Sequence, residues 1–353
     1  MEFLDFKNHS LWVSFAVFAA SAIAVWIAGT KVARYADTIA VKTGIGHVAI
    51  GMVLLGGVTS LPEVAISIFS AIADNPTLAV NNLLGGVAMQ RAILAGVDGF
   101  IGREALTVIA ASPVVLLQAA LGTLVLVVVA AAVSIGDAPV LTIGAWSWGI
   151  LALYVFSIWV ISDSQGRKPW IPQDAEPRAP EADATSKRSP ENQDRGGSLH
   201  SVIVKTVVAA TVILAAGFFL SRSADAIAVQ TGLGVSFVGA VLLALSTSLP
   251  ELSTVISSVR LGQYEMAISD ILGTNLFNVA LIFLVDAVYT GEPVLNGVGK
   301  FSLVASLLGA VLTTIYLIGL VERRNRTIGR MGIDSLATLI VYFAGLFVLY
   351  RLR

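Results

Sequence analysis

Shifted by 188 residues, the chain lies on itself without a gap: over Gly29–Glu63 against Gly217–Glu251, 19 of 35 positions are identical. The shared residues include Arg34/Arg222, Asp37/Asp225, Gly44/Gly232, Gly51/Gly239, Thr59/Thr247, Ser60/Ser248, Pro62/Pro250 and Glu63/Glu251. Two unrelated apolar stretches would share only a few positions. The chain is therefore an internal repeat, and its architecture must be built twice.

The medium of that architecture is lipid. Mean hydropathy is +0.84, with 56% hydrophobic and 13% charged residues, a balance outside the soluble range. Apolar runs of about 20 residues, enough to cross a bilayer, begin near Leu11, Val48, Leu78, Ser112, Leu141, Ser201, Val235, Glu265, Phe301 and Ile333. The first resembles a signal peptide with Ala20-Ser21-Ala22 as cleavage site, but its counterpart in the second half argues for a retained helix. Between the fifth and sixth runs, Asp163–Leu199 holds five of the eleven prolines and charges of both signs, which predicts a disordered linker. The expected organisation is a five-helix repeat over 1–162, a linker over 163–199 and a second five-helix repeat over 200–353. The expected fold class is an all-α polytopic membrane protein of ten transmembrane helices.

Five spans per repeat is an odd number, so the second repeat enters the membrane upside down relative to the first. Secondary transporters share this inverted-repeat architecture, with a site near the midplane between the repeats. Loops after spans 1, 3, 5, 7 and 9 carry 15 Lys/Arg, against 5 in the termini and remaining loops, and 9 against 5 without the linker. The positive-inside rule then places the linker in the cytoplasm and both termini outside, and a short chain without an organelle-type presequence suggests a prokaryotic inner membrane.

Within the repeat, Thr59-Ser60-Leu61-Pro62-Glu63 and Thr247-Ser248-Leu249-Pro250-Glu251 interrupt apolar runs with hydroxyls, a proline and a carboxylate. Proline removes a backbone donor and clashes with the preceding turn, so both helices should break there. Broken backbone at membrane depth persists only where protein or a water-filled cavity encloses it. An intramembrane charge costs about 3 kcal/mol on insertion scales and marks a functional site by default. Glu63 and Glu251 are the metal-binding candidates, with Thr59, Ser60, Thr247 and Ser248 as oxygen donors. Oxygen ligands without sulfur or imidazole suit calcium, sodium or protons and argue against zinc and copper. In the next helices Thr274 and Asn278 share a face at i,i+4, and Gln90 is the polar residue at the equivalent first-repeat position.

The hydroxyl-hydroxyl-x-Pro-Glu element in spans 2 and 7, followed by Gly273-Thr274-Asn275-Leu276-Phe277-Asn278 in span 8, resembles the cation/calcium exchanger superfamily, which includes the sodium/calcium exchangers. The resemblance covers nearly the whole chain except the linker. It implies a central cation site with Glu63 and Glu251 as the essential ligands, Asn278 completing it, and Thr59, Ser60, Thr247, Ser248 and Thr274 supporting it. It further implies alternating access by spans 1 and 6 sliding past this core. Three departures stand out: Val58 replaces the usual glycine, Asn278 stands where many sodium/calcium exchangers have aspartate, and span 3 has Val87 and Gln90 in place of Asn-x-x-Asn. Two carboxylates are neutralised by one calcium, two sodium ions or two protons, which points to a reduced stoichiometry or to proton coupling.

Arg91, whose repeat mate is Val279, admits two readings: it turns away toward Asp98 or the interface by snorkelling, or it competes for a glutamate as an internal cation that modulates the site. Asp98 and Asp286 are expected as solvated helix ends or an ion entrance. Asn82 and Asp270, also mates, begin their helices and either attract cations or face water. Arg34/Asp37 and Arg222/Asp225 read as surface ion pairs, Trp12 and Trp26 as interface anchors, and His9, His47 and His200 as ordinary segment-end histidines.

The expected function is a secondary active antiporter moving calcium against sodium or protons, with monovalent sodium/proton exchange as the alternative. An intramembrane enzyme lacks support: there is no cysteine, no His-Glu-x-x-His pair and no intramembrane histidine. A passive channel fits inverted repeats less well than a carrier. The partners expected are inorganic cations and the bilayer. No cofactor and no protein partner are expected, and a net charge of −1 gives no basis for binding nucleic acid.

Overall fold

The computed structural model describes residues 6, 9–43, 59–101, 105–109, 112–164, 198–260, 262, 264–322 and 327–353. The helices are α1 (Leu11–Thr43), α2 (Leu61–Ile72), α3 (Pro76–Ile101), α4 (Pro113–Ile135) and α5 (Ala145–Ser164) in the first repeat. The second holds α6 (Leu199–Thr231), α7 (Val235–Thr247), α8 (Leu249–Arg260), α9 (Tyr264–Val288), α10 (Gly299–Glu322) and α11 (Ile333–Leu352). Among the described residues seven helices are long and apolar enough to cross a membrane, and eight if α7 and α8 count as one bent span. Of the remaining two expected spans, α3 has the length but carries Asn81, Asn82, Gln90, Arg91 and Asp98 along its course. The other is represented by α2; its beginning at Val48, and Val58 with it, lies outside the described residues, as do His47 and linker residues 165–197.

The repeat recurs at the level of caps and turns. Ser112 caps α4, accepting from the Val115 N–H with Pro113 at the first helical position, a residue whose missing donor costs nothing there. Short hairpins, Pro139–Val140 with Ile143–Gly144 (β1, β2) and Thr327–Ile328 with Met331–Gly332 (β3, β4), lead into α5 and α11. The first displaces the start of the fifth span from the expected Leu141 to Ala145. Leu141 and Thr142 form its turn at φ 53° and 70°, a left-handed conformation that a helix could not contain.

Two buried aspartates lock the repeats together. Asp98, at the end of α3, accepts from the Leu106 N–H at 2.6 Å and from the Gly332 N–H of the other repeat at 2.8 Å. Its mate Asp286 accepts from the Val294 N–H at 3.0 Å and, across the repeats, from the Gly144 N–H at 2.9 Å and the Ser147 hydroxyl at 2.5 Å. Each helix end thus grips the hairpin of the opposite repeat. Both aspartates are buried, at 0% and 2% exposure, so neither is the solvated helix end or the ion entrance expected from sequence. Backbone N–H groups hold them in place, which polarity patterning along one chain cannot reveal.

The main apolar core runs through α3, α4, α9 and α10, with α5 and α11 packed on it. By contrast α1 and α6 pack mainly on each other, and they meet the rest through α2, α7 and α8. At 33 residues each they are about 50 Å long, well beyond the hydrocarbon thickness, so they cross it tilted or project from it. Trp12 and Trp26 face outward from α1 at 82% and 47% exposure.

Candidate functional site

The second repeat shows the expected break. Val235–Thr247 and Leu249–Arg260 meet at Ser248 with a bend of 45°. Pro250 occupies the first turn of α8 and Pro62 that of α2, where a missing N–H is tolerated. Ser60 and Ser248 take the same conformation before them, φ −84° and −83° with ψ near 0°. One feature was not legible in the sequence: Gly239–Leu243 adopts a π-helical turn upstream of the break. It lies where α7 crosses α3 so closely that a Cβ on Gly85 would overlap the Ala240 backbone, and one on Gly239 would come within 2.8 Å of the Leu78 carbonyl. Such turns insert one residue into a helix and commonly re-aim it at functional sites.

The broken helices present Glu63 and Glu251 in the first turns of α2 and α8, where backbone N–H groups and the helix dipole favour negative charge. Both are buried, at 1% and 0% exposure, and none of their four carboxylate oxygens has a hydrogen-bond partner of good geometry. The Thr247 hydroxyl, from the other repeat, is near enough to Glu63 to act on its carboxylate. The charges acting on Glu251 are those of Glu63 and, more weakly, Asp270. The two broken helices therefore bring the two glutamates to one place.

The two breaks and helices α3 and α9 carry further unpaired polarity. Ser60 Oγ, Ser248 Oγ, Thr274 Oγ1 and both side-chain polar atoms of Gln90 and Asn278 are buried without hydrogen-bond partners. Thr247 donates to the Ala244 carbonyl at 3.3 Å, and Thr59 is buried at the start of the first-repeat break. Asn275 and Asn82, likewise buried with both polar atoms unpaired, and Ser67, with a buried unpaired hydroxyl, were not among the expected site residues. The signal for Asn275 was present in its place beside Thr274, one turn before Asn278. Buried polar groups are ordinarily bonded, so this density of unpaired oxygens in apolar surroundings suits ligands for a dehydrated cation. Among the described residues no three carboxylate or imidazole side chains are close enough to chelate one ion together. A cation here would rest on two carboxylates and neutral oxygens.

Arg91 departs from the snorkelling reading. It is 1% exposed, donates from Nε to Thr313 Oγ1 of α10 at 3.2 Å, and leaves Nη1 unpaired. Ten residues, about 15 Å of helix, separate it from the end of α3, too far for its side chain to reach an interface. Asp98, its other expected goal, is engaged by the backbone N–H groups of Leu106 and Gly332. A small crevice lined by Arg91, Val87, Gly122 and Asn275 joins it to the edge of the polar cluster. Of the residues expected as an ion pair, Asp225 accepts from Asn75 Nδ2 at 2.9 Å and Arg222 lies over the Phe218 ring at 5.6 Å. The side chain of Asp37, in the other expected pair, lies outside the described residues.

The contact between site and peripheral helices is unusually close. Gly29 of α1 faces Pro250, where a Cβ would come within 2.7 Å, and its mate Gly217 of α6 faces Ala65 even more tightly. Ser70 and Ser221 hydroxyls meet at 2.7 Å between α2 and α6.

Comparison with known proteins bears on this geometry. The sequence profile of the sodium/calcium exchanger protein family matches residues 13–162 and 201–351. The inner membrane protein YrbG of Escherichia coli K12 is 26% identical over 257 residues, 72% of this chain and 74% of that protein. The sodium/calcium exchanger MaX1 of Methanosarcina acetivorans is 30% identical over 87 residues, a quarter of each chain. Among solved structures, the H+/Ca2+ exchanger CAX superposes with a TM-score of 0.70 at 15% identity, over 98% of this chain and 86% of that one. The sodium-calcium exchanger NCX_Mj superposes at 0.57 and 16% identity, over 96% and 99%. These likenesses establish the fold as ten membrane helices in two inverted repeats.

Proposed function

Because this chain belongs to the sodium/calcium exchanger protein family, we propose that it is a secondary active antiporter carrying calcium in exchange for sodium or protons, with Glu63 and Glu251 as the shared ion site. The observation carrying this reading is the pair itself: two buried carboxylates, one from each repeat, with all four oxygens unpaired. Leaving two adjacent charges dry and uncompensated is prohibitive, so cations or protons must accompany them. One site that accepts either a divalent ion or two monovalent ones is the chemical requirement for exchange. Ser60, Ser248, Thr274, Asn275, Asn278 and Gln90 supply oxygens that replace the hydration shell, and Thr59 and Thr247 flank the pair. Access alternates as α1 and α6 slide past α2 and α8 on the Gly29 and Gly217 contacts, with the linker cytoplasmic and both termini external.

Calcium uptake into proteoliposomes, driven in parallel by outward sodium and outward proton gradients, tests this. Uptake under one gradient, lost at least 100-fold in Glu251→Gln, is the expected result and names the coupling ion. With two carboxylates, three or more sodium ions per calcium would break the charge count. Absence of calcium uptake under both gradients would replace calcium exchange by monovalent sodium/proton exchange.

A further inference from the structure

The polar path does not end at the glutamates. One turn beyond Glu251 on α8, the Thr254 hydroxyl lies 2.7 Å from Asp270 Oδ2 of α9 and 2.9 Å from the Glu251 carbonyl, and its single proton serves these two acceptors. Asp270 is half-buried, in contrast with the fully buried pair, and its charge reaches Glu251. It forms no three-carboxylate chelating group with Glu63 and Glu251, so it stands beside the pair rather than within one common ligand set. The unpaired oxygens of Glu251 mark where the polar path leads.

The repeat supplies an internal comparison. The mates of Thr254 and Asp270 are Ile66 and Asn82, both at 0% exposure. Because the repeats are inverted, the starts of α3 and α9 face opposite sides of the membrane. The approach along α9, on the linker side, therefore carries a hydroxyl–carboxylate dyad, whereas the approach along α3 carries a methyl-rich side chain and a neutral amide. We propose that Asp270 is a cation-recruiting residue on the linker-side approach, and that its replacement by Asn82 on the opposite approach makes the two faces of the exchanger unequal in apparent cation affinity.

This assignment rests on the exchange reading above. A unit charge about 10 Å from an incoming cation, at the effective dielectric constant of a partly buried site, changes binding by roughly tenfold per cation charge at low salt. The test compares calcium KM at the linker face and at the opposite face, using inside-out and right-side-out membrane vesicles. Asp270→Asn keeps an acceptor for Thr254 and removes only the charge. It should raise the linker-face KM for divalent calcium relative to the opposite-face KM by about a hundredfold at low salt, about tenfold for each of its two charges, and by less in high salt. Asn82→Asp should move the same ratio in the opposite sense. An unchanged ratio in Asp270→Asn, with wild-type protein exchanging normally, overturns the assignment alone. Wild-type protein silent to calcium and sodium at both faces overturns the exchange reading beneath it.

Discussion

At the scale of single residues, Arg91 is a buried charge whose bond runs to Thr313 of α10. Burying a cation against neutral partners is costly, and a shape-matched apolar residue often restores that cost. Arg91→Met should therefore raise the thermal unfolding midpoint, with a gain of about 1–3 kcal/mol, and leave the sodium or proton dependence of flux unchanged. A scan in detergent and a flux series would check both; an altered ion dependence would return Arg91 to the site. The paired Pro-Glu elements were legible because hydroxyls, proline and glutamate are conspicuous against apolar sequence. Asn275 and Ser67 were not singled out, and Asn82 was read only as attracting cations or facing water, because an amide or hydroxyl in a helix announces no direction until its neighbours are placed.

At the scale of elements, two glycines determine how closely the peripheral helices approach the broken ones. Gly217 leaves no room for a Cβ against Ala65, nor Gly29 against Pro250. Overpacking such a contact typically costs 1–3 kcal/mol. If the cost falls on the sliding step, Gly217→Ala should slow turnover roughly 5- to 100-fold while apparent cation affinity holds. Flux measured across a range of calcium concentrations separates the two effects, and a change in KM alone would place Gly217 in binding instead. The break at Ser248 followed directly from proline chemistry. The π-helical turn at Gly239–Leu243 did not, because it arises from the crossing with α3 and has no marker within its own five residues. Nor could sequence show the β1–β2 hairpin, whose Leu141 and Thr142 continue an apolar run while turning the chain.

At the scale of the whole molecule, the repeat made the architecture readable, since an odd number of spans admits only an inverted pair. The proposed orientation rests on loop charge, and the chain offers a clean check because it contains no cysteine. A single cysteine at Pro180 should react with an impermeant reagent only from the cytoplasmic face, and one at Arg353 only from outside; the reverse pattern would invert the molecule. The aspartate clasps bear on how such a chain comes to be. Asp98 and Asp286 each reach across to the other half in the same manner, Gly332 answering Gly144, which is the pattern of a two-fold symmetric interface between identical subunits. During synthesis Asp98 emerges more than two hundred residues before the hairpin it holds. The first half therefore carries an incomplete joint until the chain is almost finished, so the halves mature together. Before gene fusion, the same joint would have served two copies of one half-length chain.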